Sequence, residues 1–207
     1  VERLDPFDGE LDLPGWLARY SREDIYKLIM QYRDMKNEDI YANMLYFLRA
    51  VTPEAERLNL RLALHPDDPP WPIFGIPRIM STAEHLRRLF SDVPSPANGL
   101  CLCTGSFGAS PENDLPAMAT EFSSRVAFAH LRNVRIFGNR SFEESAHWKG
   151  AGSIDLPAVV RALKAGGFSG PVRPDHGRMI WDETGKPGYG LFDRALGAQY
   201  IQGLLDA

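Results

Sequence analysis

The sequence predicts an α/β fold in which short strands alternate with helices around a parallel sheet. After about residue 58, short apolar runs are separated by helical patterns, which is the arrangement of successive βα units. With 207 residues and 44% hydrophobic content, the chain can form one sizeable core. We therefore expect a single domain over 1–207, with a helical region over about 1–57 and βα units over about 58–207.

Charge and composition exclude several classes of protein. The net charge of -4 and the lack of any run of Lys or Arg argue against a nucleic-acid binder. No apolar stretch reaches the roughly 20 residues that cross a bilayer, and no signal sequence opens the chain, so we expect neither an anchor nor secretion. Cys101 and Cys103 are too close for a good disulfide, which favours a reducing, cytoplasmic compartment.

Helical signals come first along the chain. Residues 21–33 open with Ser21 and Asp24 in a spacing like that of a capping box, followed by apolar residues at helical intervals. A second helix is expected over about 37–50. Thr52-Pro53 then supplies an N-cap and a first-turn proline, which predicts a short separate helix.

The rest of the chain alternates between strands and helices. Strands are predicted at about 60–65, 99–103, 126–131 and 171–175. Helices are predicted at about 82–91, 111–123, 155–165 and 191–205. A capping box from Ser81 to Glu84 introduces the first of these helices, and Gly166-Gly167 ends the third.

Each predicted strand ends in a residue that can bind a metal ion: His65, Cys103, His130 and Asp175. Taken singly, a buried histidine or cysteine is more often part of the core. The loops that follow parallel barrel strands converge at one mouth, so four such residues predict a shared site. A thiolate, two imidazoles and a carboxylate suit zinc, iron(II) or manganese(II). A closed structural zinc site is the alternative, but its ligands usually occur in closely spaced pairs.

Other reactive residues cluster near the last predicted ligand, Asp175. In RPDHGR, His176 follows Asp175, and Arg173 and Arg178 flank the pair. Tyr189 lies between two glycines in a loop that could bring its phenol over the mouth. We regard these residues as candidates for the site, with a solvated loop as the alternative for Arg178.

Two segments provide weaker candidates. In HPDDPPWP, a proline-rich loop should hold His65 rigidly, and Asp67 or Asp68 could orient its imidazole from behind. Solvation at the surface is the alternative for both aspartates. In FEESAHWKG, His147 follows another strand-to-helix connection and is predicted to approach a substrate.

The motifs HPDDPP, CTGSFG, HLRNV and RPDHGR, followed by GYGLFDRALG, resemble in this order the mannonate dehydratase family over nearly the whole chain. The resemblance implies a TIM-type (β/α)8 barrel of the xylose-isomerase-like kind. It also implies a Mn²⁺- or Fe²⁺-dependent lyase that dehydrates D-mannonate to 2-keto-3-deoxy-D-gluconate in glucuronate catabolism. A complete barrel has eight strands, whereas only four are predicted in this chain. We therefore expect the chain to contain only about the last four βα units, which form the carboxyl-terminal part of the barrel.

The same resemblance implies roles for individual residues. The metal ligands match His65, Cys103, His130 and Asp175, and the residues of proton transfer match His176 and Tyr189. Which of the last two is the acid and which the base does not follow from sequence. Candidates for holding the substrate carboxylate are Arg173, Arg178 and Arg132, with His147 as a further substrate contact.

Two alternative functions stay open at this point. A sugar isomerase or epimerase of the same barrel class could share the metal without removing water, and the fold does not separate the two. A non-catalytic barrel fragment is the other alternative. If the chain is only this long, an open half barrel exposes a sheet edge and apolar interior, so we expect it either to self-associate as a homo-oligomer or to be inactive.

Overall fold

The computed structural model describes residues 21–207 as an α/β structure. Its helices are α1 (Arg22–Tyr32), α2 (Asn37–Arg57), α3 (Ala83–Asp92), α4 (Thr104–Gly108), α5 (Leu115–Glu121), α6 (Leu156–Ala165) and α7 (Leu191–Asp206). Its strands are β1 (Leu100–Cys103), β2 (Val126–His130), β3 (Val134–Gly138), β4 (Ser141–Glu144) and β5 (Val172–Arg173). The predicted alternation of strands and helices is confirmed.

The sheet that carries the predicted ligands is parallel, in the order β1-β2-β5. The predicted strand at 60–65 is extended beside β1. Leu62 and Leu64 donate backbone hydrogen bonds to the carbonyls of residues 97 and 99, and Leu64 forms a parallel bridge with Leu100. These four parallel segments correspond to half the strands of a complete (β/α)8 barrel.

Strand register places the predicted ligands side by side. Cys103 pairs with His130, and His130 pairs with Arg173, which lies two residues before Asp175. Parallel strands in this register end at one edge of the sheet. Their final side chains therefore project into the same region.

Alternation along β1 separates the core face from the site face. Leu100 and Leu102 are fully buried in a cluster with Leu86, Leu156 and Val159 from the helices. Burial of one leucine side chain contributes about 1.5–3 kcal/mol. This packing fixes the strand and leaves the opposite face of its end available for chemistry.

The predicted break at Thr52-Pro53 was wrong, because α2 continues through Pro53. Proline removes one backbone hydrogen bond within the helix. Leu48, Thr52 and Ala55 are nevertheless buried along α2 on either side of Pro53. Packing of this face keeps the helix continuous.

The antiparallel hairpin formed by β3 and β4 was not predicted. Its turn residues Asn139 and Arg140 both have positive φ, at 49° and 57°, as in the tight turns that suit hairpin twist. Arginine is an uncommon residue there, and both strands are largely exposed, so their apolar pattern is weak. The hairpin is important for the site because β4 ends in Glu144.

Helix caps are partly as predicted. The Ser21 hydroxyl accepts a hydrogen bond from the Asp24 backbone N–H, which confirms the first cap. Helix α3 is capped by Thr82 and not by Ser81, whose hydroxyl instead donates to Asp67. The helix predicted over 111–123 is shorter than expected, and the additional helix α4 begins directly after Cys103.

Two further expectations concern the chain as a whole. The division into regions of about 1–57 and 58–207 stays a prediction, and its first 20 residues lie outside the described part. Within residues 21–207, no helix combines the length and apolar composition that a membrane span needs.

Candidate metal centre

The structure brings the four predicted ligands together. One donor atom from each of His65, Cys103, His130 and Asp175 lies within 4.8 Å of the other three. The Cys103 Sγ is 3.7 Å from Asp175 Oδ2, and the His130 Nδ1 is 3.4 Å from Asp175 Oδ1. Three of these residues are buried and His65 is exposed. This geometry fits one ion held by sulfur, two nitrogens and oxygen.

Short contacts after β1 fix the position of the Cys103 sulfur. The Ser106 hydroxyl, in α4, donates a hydrogen bond of 3.1 Å to Cys103 Sγ. The Thr104 hydroxyl donates to the Arg132 carbonyl at 2.6 Å, which ties α4 to the end of β2. The CTGSFG motif therefore supplies both a ligand and the hydrogen bonds that orient it.

His65 is oriented by the backbone. Its Nδ1–H donates to the Pro66 carbonyl at 2.8 Å, which leaves the Nε2 lone pair free for a metal. The predicted support from Asp67 or Asp68 was wrong. Asp67 accepts hydrogen bonds from two backbone N–H groups and a serine hydroxyl further along the chain, and Asp68 pairs with Arg132.

The anionic groups of the site attract positive charge and shift the pKa values of their neighbours. Burial alone would lower the pKa of His130, but Asp175 and Cys103 outweigh it and raise the pKa to about 9. Burial alone would raise the pKa of Asp175, but His130, His176 and Arg132 hold it far below its usual value. Desolvation of its ring lowers the pKa of His65, which favours the neutral imidazole that binds metals.

One buried atom tests whether these residues fit a metal. The Nδ1 of His130 is buried and has no hydrogen-bond partner among residues 21–207. Such an unsatisfied group costs about 1–3 kcal/mol. An ion bound among the four donors would displace the proton from this nitrogen and use the lone pair that is released. Asp175 has a φ of 65°, a conformation uncommon outside glycine that often occurs at functional positions.

Arg132 lies beside the metal centre, but its partners differ from the predicted ones. Its side chain is buried, with Nη1 at 2.8 Å from Asp68 Oδ2 and 3.6 Å from Asp175 Oδ2, and Nε at 3.3 Å from Glu144 Oε2. A Cβ on Gly105 would lie 2.3 Å from Nε, so a larger residue there would displace the guanidinium. Three carboxylates surround this arginine, and the predicted role of holding a substrate carboxylate does not fit its burial.

Arg173 keeps an accessible guanidinium at the centre. Its Nη2 is 2.6 Å from Asp175 Oδ1, yet 44% of its side chain is exposed. Of the three predicted arginines, it alone combines contact with a candidate ligand and an open surface.

Arg178 is paired with a buried carboxylate of α7. Its Nε and Nη2 lie 2.9 and 3.0 Å from the two oxygens of Asp193, and its backbone N–H donates to the same carboxylate at 2.8 Å. Asp193 is only 1% exposed. This bidentate pair joins the RPDHGR segment to α7, and it replaces the predicted substrate contact.

Replacing Arg178 by alanine should destabilise the fold by about 3 kcal/mol, because the buried Asp193 carboxylate would lose its countercharge. Burial alone would raise the pKa of Asp193, but Arg178 holds it below its usual value. The pair therefore stabilises the protein above about pH 4, and the contribution is lost as the pH falls through the lowered pKa. Urea unfolding at neutral and acidic pH would measure the free energy of unfolding of wild type and R178A. We expect the difference between the two proteins to become smaller in acid. A difference independent of pH would contradict this assignment.

His147 is buried in the protein interior, whereas the sequence predicted that it would approach a substrate. Its Nε2–H donates to the Pro174 carbonyl at 2.8 Å, and its ring packs where a Cβ on Gly197 would lie, 2.5 Å from the nearest ring atom. The side chain is 2% exposed. It joins the end of β5 to α7 and does not present a free face to a substrate.

His176 and Tyr189 lie beside each other, with ring centroids 5.6 Å apart. The loop that carries Tyr189 is held to the backbone next to His176. Gly177 N–H donates to the Gly188 carbonyl at 3.1 Å, and Gly190 N–H donates to the Gly177 carbonyl at 2.9 Å. The tyrosine is therefore placed by a specific backbone pairing.

Sequence reasoning missed one residue of this group, Glu144. Its Oε1 accepts a hydrogen bond of 2.8 Å from His176 Nδ1. Glu144 follows Glu143 in an exposed strand, and nothing in that pattern distinguishes the two glutamates. Only the path of the hairpin places Glu144 at the site.

Known proteins are similar to this chain in sequence. The family model described as D-mannonate dehydratase (UxuA) matches residues 4–207. A protein named mannonate dehydratase from Oceanobacillus iheyensis is 52% identical over 206 residues, which cover 100% of this chain and 59% of that protein. A mannonate dehydratase 2 from Halalkalibacterium halodurans is 47% identical, with 100% of this chain and 61% of that protein covered.

Solved structures agree with the fold. The crystal structure of mannonate dehydratase from Streptococcus suis serotype 2 superposes with a TM-score of 0.84 at 44% identity, covering 89% of this chain and 54% of that one. A xylose isomerase domain protein from Alicyclobacillus acidocaldarius superposes with a TM-score of 0.58 at 15% identity, covering 90% and 73%. At that identity the likeness shows the fold alone, which is a partial barrel of the xylose-isomerase-like kind.

These relatives are longer than the chain, which spans about three fifths of the length of the curated relatives it matches. The match nevertheless extends over the whole described part, including the four candidate ligands. The chain therefore belongs to the mannonate dehydratase family.

Proposed function

We propose that this chain carries the metal centre of an enzyme that dehydrates D-mannonate to 2-keto-3-deoxy-D-gluconate and water. The observation that supports this most directly is the convergence of four donor atoms within 4.8 Å at the ends of parallel strands. The 52% identity to a protein named mannonate dehydratase supports the choice of substrate.

We propose that Mn²⁺ or Fe²⁺ is the ion, held by His65, Cys103, His130 and Asp175. The mixed donor set and the orphaned His130 Nδ1 suit a divalent transition metal. When bound, the metal would act as a Lewis acid and stabilise the negative charge that develops as the substrate loses its proton.

The reaction requires two proton movements, which we assign to His176 and Tyr189. A proton leaves C2, the C3–O bond breaks, and the departing hydroxide takes up a proton to become water. The enol that is left converts to the 2-keto product. With ring centroids 5.6 Å apart, His176 and Tyr189 can both contact one small substrate at the metal centre.

Arg173 is the residue that we propose for the substrate carboxylate. Its guanidinium lies at the metal centre and its side chain is 44% exposed. It can therefore form bidentate hydrogen bonds with a substrate carboxylate. Arg132 and Arg178 are each held by carboxylates of the protein itself.

The decisive test is to incubate the purified protein with D-mannonate and Mn²⁺ or Fe²⁺ and to assay for a 2-keto-3-deoxy acid. We expect product with metal, none after chelation, and recovery when either ion is restored. A sugar isomerase or epimerase would interconvert sugars without losing water, so isomerised sugar in place of the keto acid would contradict the proposal.

We further propose a setting for this activity. The protein would act in glucuronate catabolism in the cytoplasm, as a homo-oligomer, on a small sugar acid and without nucleic acid. Two free cysteines, both buried, and a net charge of -4 support the compartment and the class of ligand.

A further inference from the structure

Glu144 is the charged residue nearest the reactive pair that the proposed chemistry does not use. It ends β4, and each of its oxygens has a different partner. Oε1 is 2.8 Å from His176 Nδ1, and Oε2 is 3.3 Å from Arg132 Nε. Arg132 in turn lies 3.6 Å from the candidate ligand Asp175. Glu144 thus joins a candidate catalytic histidine to the arginine that faces the metal centre.

The hydrogen bond to Glu144 selects one form of the imidazole. An ionised carboxylate only accepts hydrogen bonds, so His176 Nδ1 must carry the hydrogen. In the neutral ring, Nε2 is then the nitrogen with a free lone pair. This atom lies on the metal side, 3.9 Å from Asp175 Oδ2. The contact therefore fixes both the direction of the ring and the nitrogen that can exchange a proton with a substrate.

The hairpin holds Glu144 firmly enough for this role. At its base, Ser145 N–H donates to the Asn133 carbonyl at 3.1 Å, and the Asn133 side chain accepts from Ile154 N–H at 3.1 Å. Both Asn133 and Ser145 are buried. The carboxylate is thus placed by buried backbone contacts, although most of β3 and β4 is exposed.

We propose that Glu144 is a positioning residue that holds His176 with Nδ1–H toward the hairpin and Nε2 toward the metal centre. Arg132 fixes the Glu144 carboxylate in turn. The proposal rests on the proposed function, in which His176 moves a proton. A wrong tautomer would leave the substrate and the metal bound but would present the wrong nitrogen to the reacting atoms.

The test compares E144Q and E144D with E143Q. Glutamine can donate as well as accept, so E144Q no longer fixes the tautomer, whereas aspartate keeps an acceptor-only group. Glu143 precedes it on the same strand, is exposed, and pairs only loosely with Arg135 at 3.9 Å. We expect kcat of E144Q to fall by about 100-fold or more, with KM changed less than about threefold. We expect a smaller fall of kcat in E144D and no fall in E143Q.

A second readout is independent of turnover. In zinc-loaded protein with ¹⁵N-labelled histidine, the H176N variant identifies the signals of His176 among the five histidines. We expect Nδ1 protonated in wild type, E144D and E143Q, and a mixture or Nε2 protonated in E144Q. An unchanged tautomer together with an unchanged kcat in E144Q would overturn the proposal.

Two other outcomes are also decisive. In one of them, the metal content or the denaturant concentration at the unfolding midpoint of E144Q falls in parallel with its kcat. Glu144 would then be a structural support and not a positioning residue. If wild type had no dehydratase activity, the proposed function would fail. The tautomer measurement would then still decide whether Glu144 orients His176.

Discussion

Cys103→Ala protein should lose its metal and its turnover, whereas Cys101→Ala protein should keep both. Cys103 supplies the only sulfur among the four donors, and its Sγ is 3.7 Å from Asp175. Loss of an outer-shell partner commonly weakens metal binding 10–100-fold. We expect loss of a direct ligand to exceed about 100-fold. Elemental analysis after dialysis and competition with a chelator would measure the change.

Cys101 is a matched control because it lies two residues earlier on the same strand and is also buried. Both substitutions remove one sulfur and leave a small cavity. The midpoint temperature of thermal unfolding should therefore change by a similar amount in the two variants. A C103A protein that binds as much metal as C101A would show that the four converging residues do not form the metal site.

His176→Asn and Tyr189→Phe proteins should retain metal but lose turnover by about 10²–10⁴-fold, the usual contribution of a positioned proton donor or acceptor. Neither residue belongs to the four-donor cluster. Steady-state kinetics with D-mannonate, together with metal content, would separate this effect from loss of the ion.

Tyr200→Phe is the matched control for the tyrosine. Its hydroxyl accepts one hydrogen bond, from the Lys149 backbone N–H at 3.1 Å, and it lies outside the metal centre. We expect activity close to that of wild type. Tyr189→Phe protein with kcat within about threefold of wild type would remove Tyr189 from the proton-transfer pair.

The candidate ligands could be found in the sequence because their placement depends on local rules. Apolar runs mark where strands lie, and alternation marks which face of each strand is buried. Cys103 and His130 end such strands, and they pair in register in the structure. The N-cap at Ser21 was predicted for the same reason, because its hydrogen bond spans only three residues.

The prediction failed where a side chain has more than one possible partner. Arg132 and Arg173 are both arginines near strand ends, yet one is buried among carboxylates and the other is 44% exposed. His147 was expected near a substrate, but it donates to a carbonyl 27 residues away. Residue type does not distinguish these cases, because each depends on which segments pack around the side chain.

By itself, the sequence determined the alternation of strands and helices, the four donor residues and the resemblance to a family. Tertiary structure decided which charged groups are paired. Arg132 meets Asp68 across 64 residues, and His176 meets Glu144 across 32 residues through a hairpin with a weak sequence pattern. Strand and helix propensities act between near neighbours in the chain, whereas the partner of a buried charge is set by the path of the whole backbone.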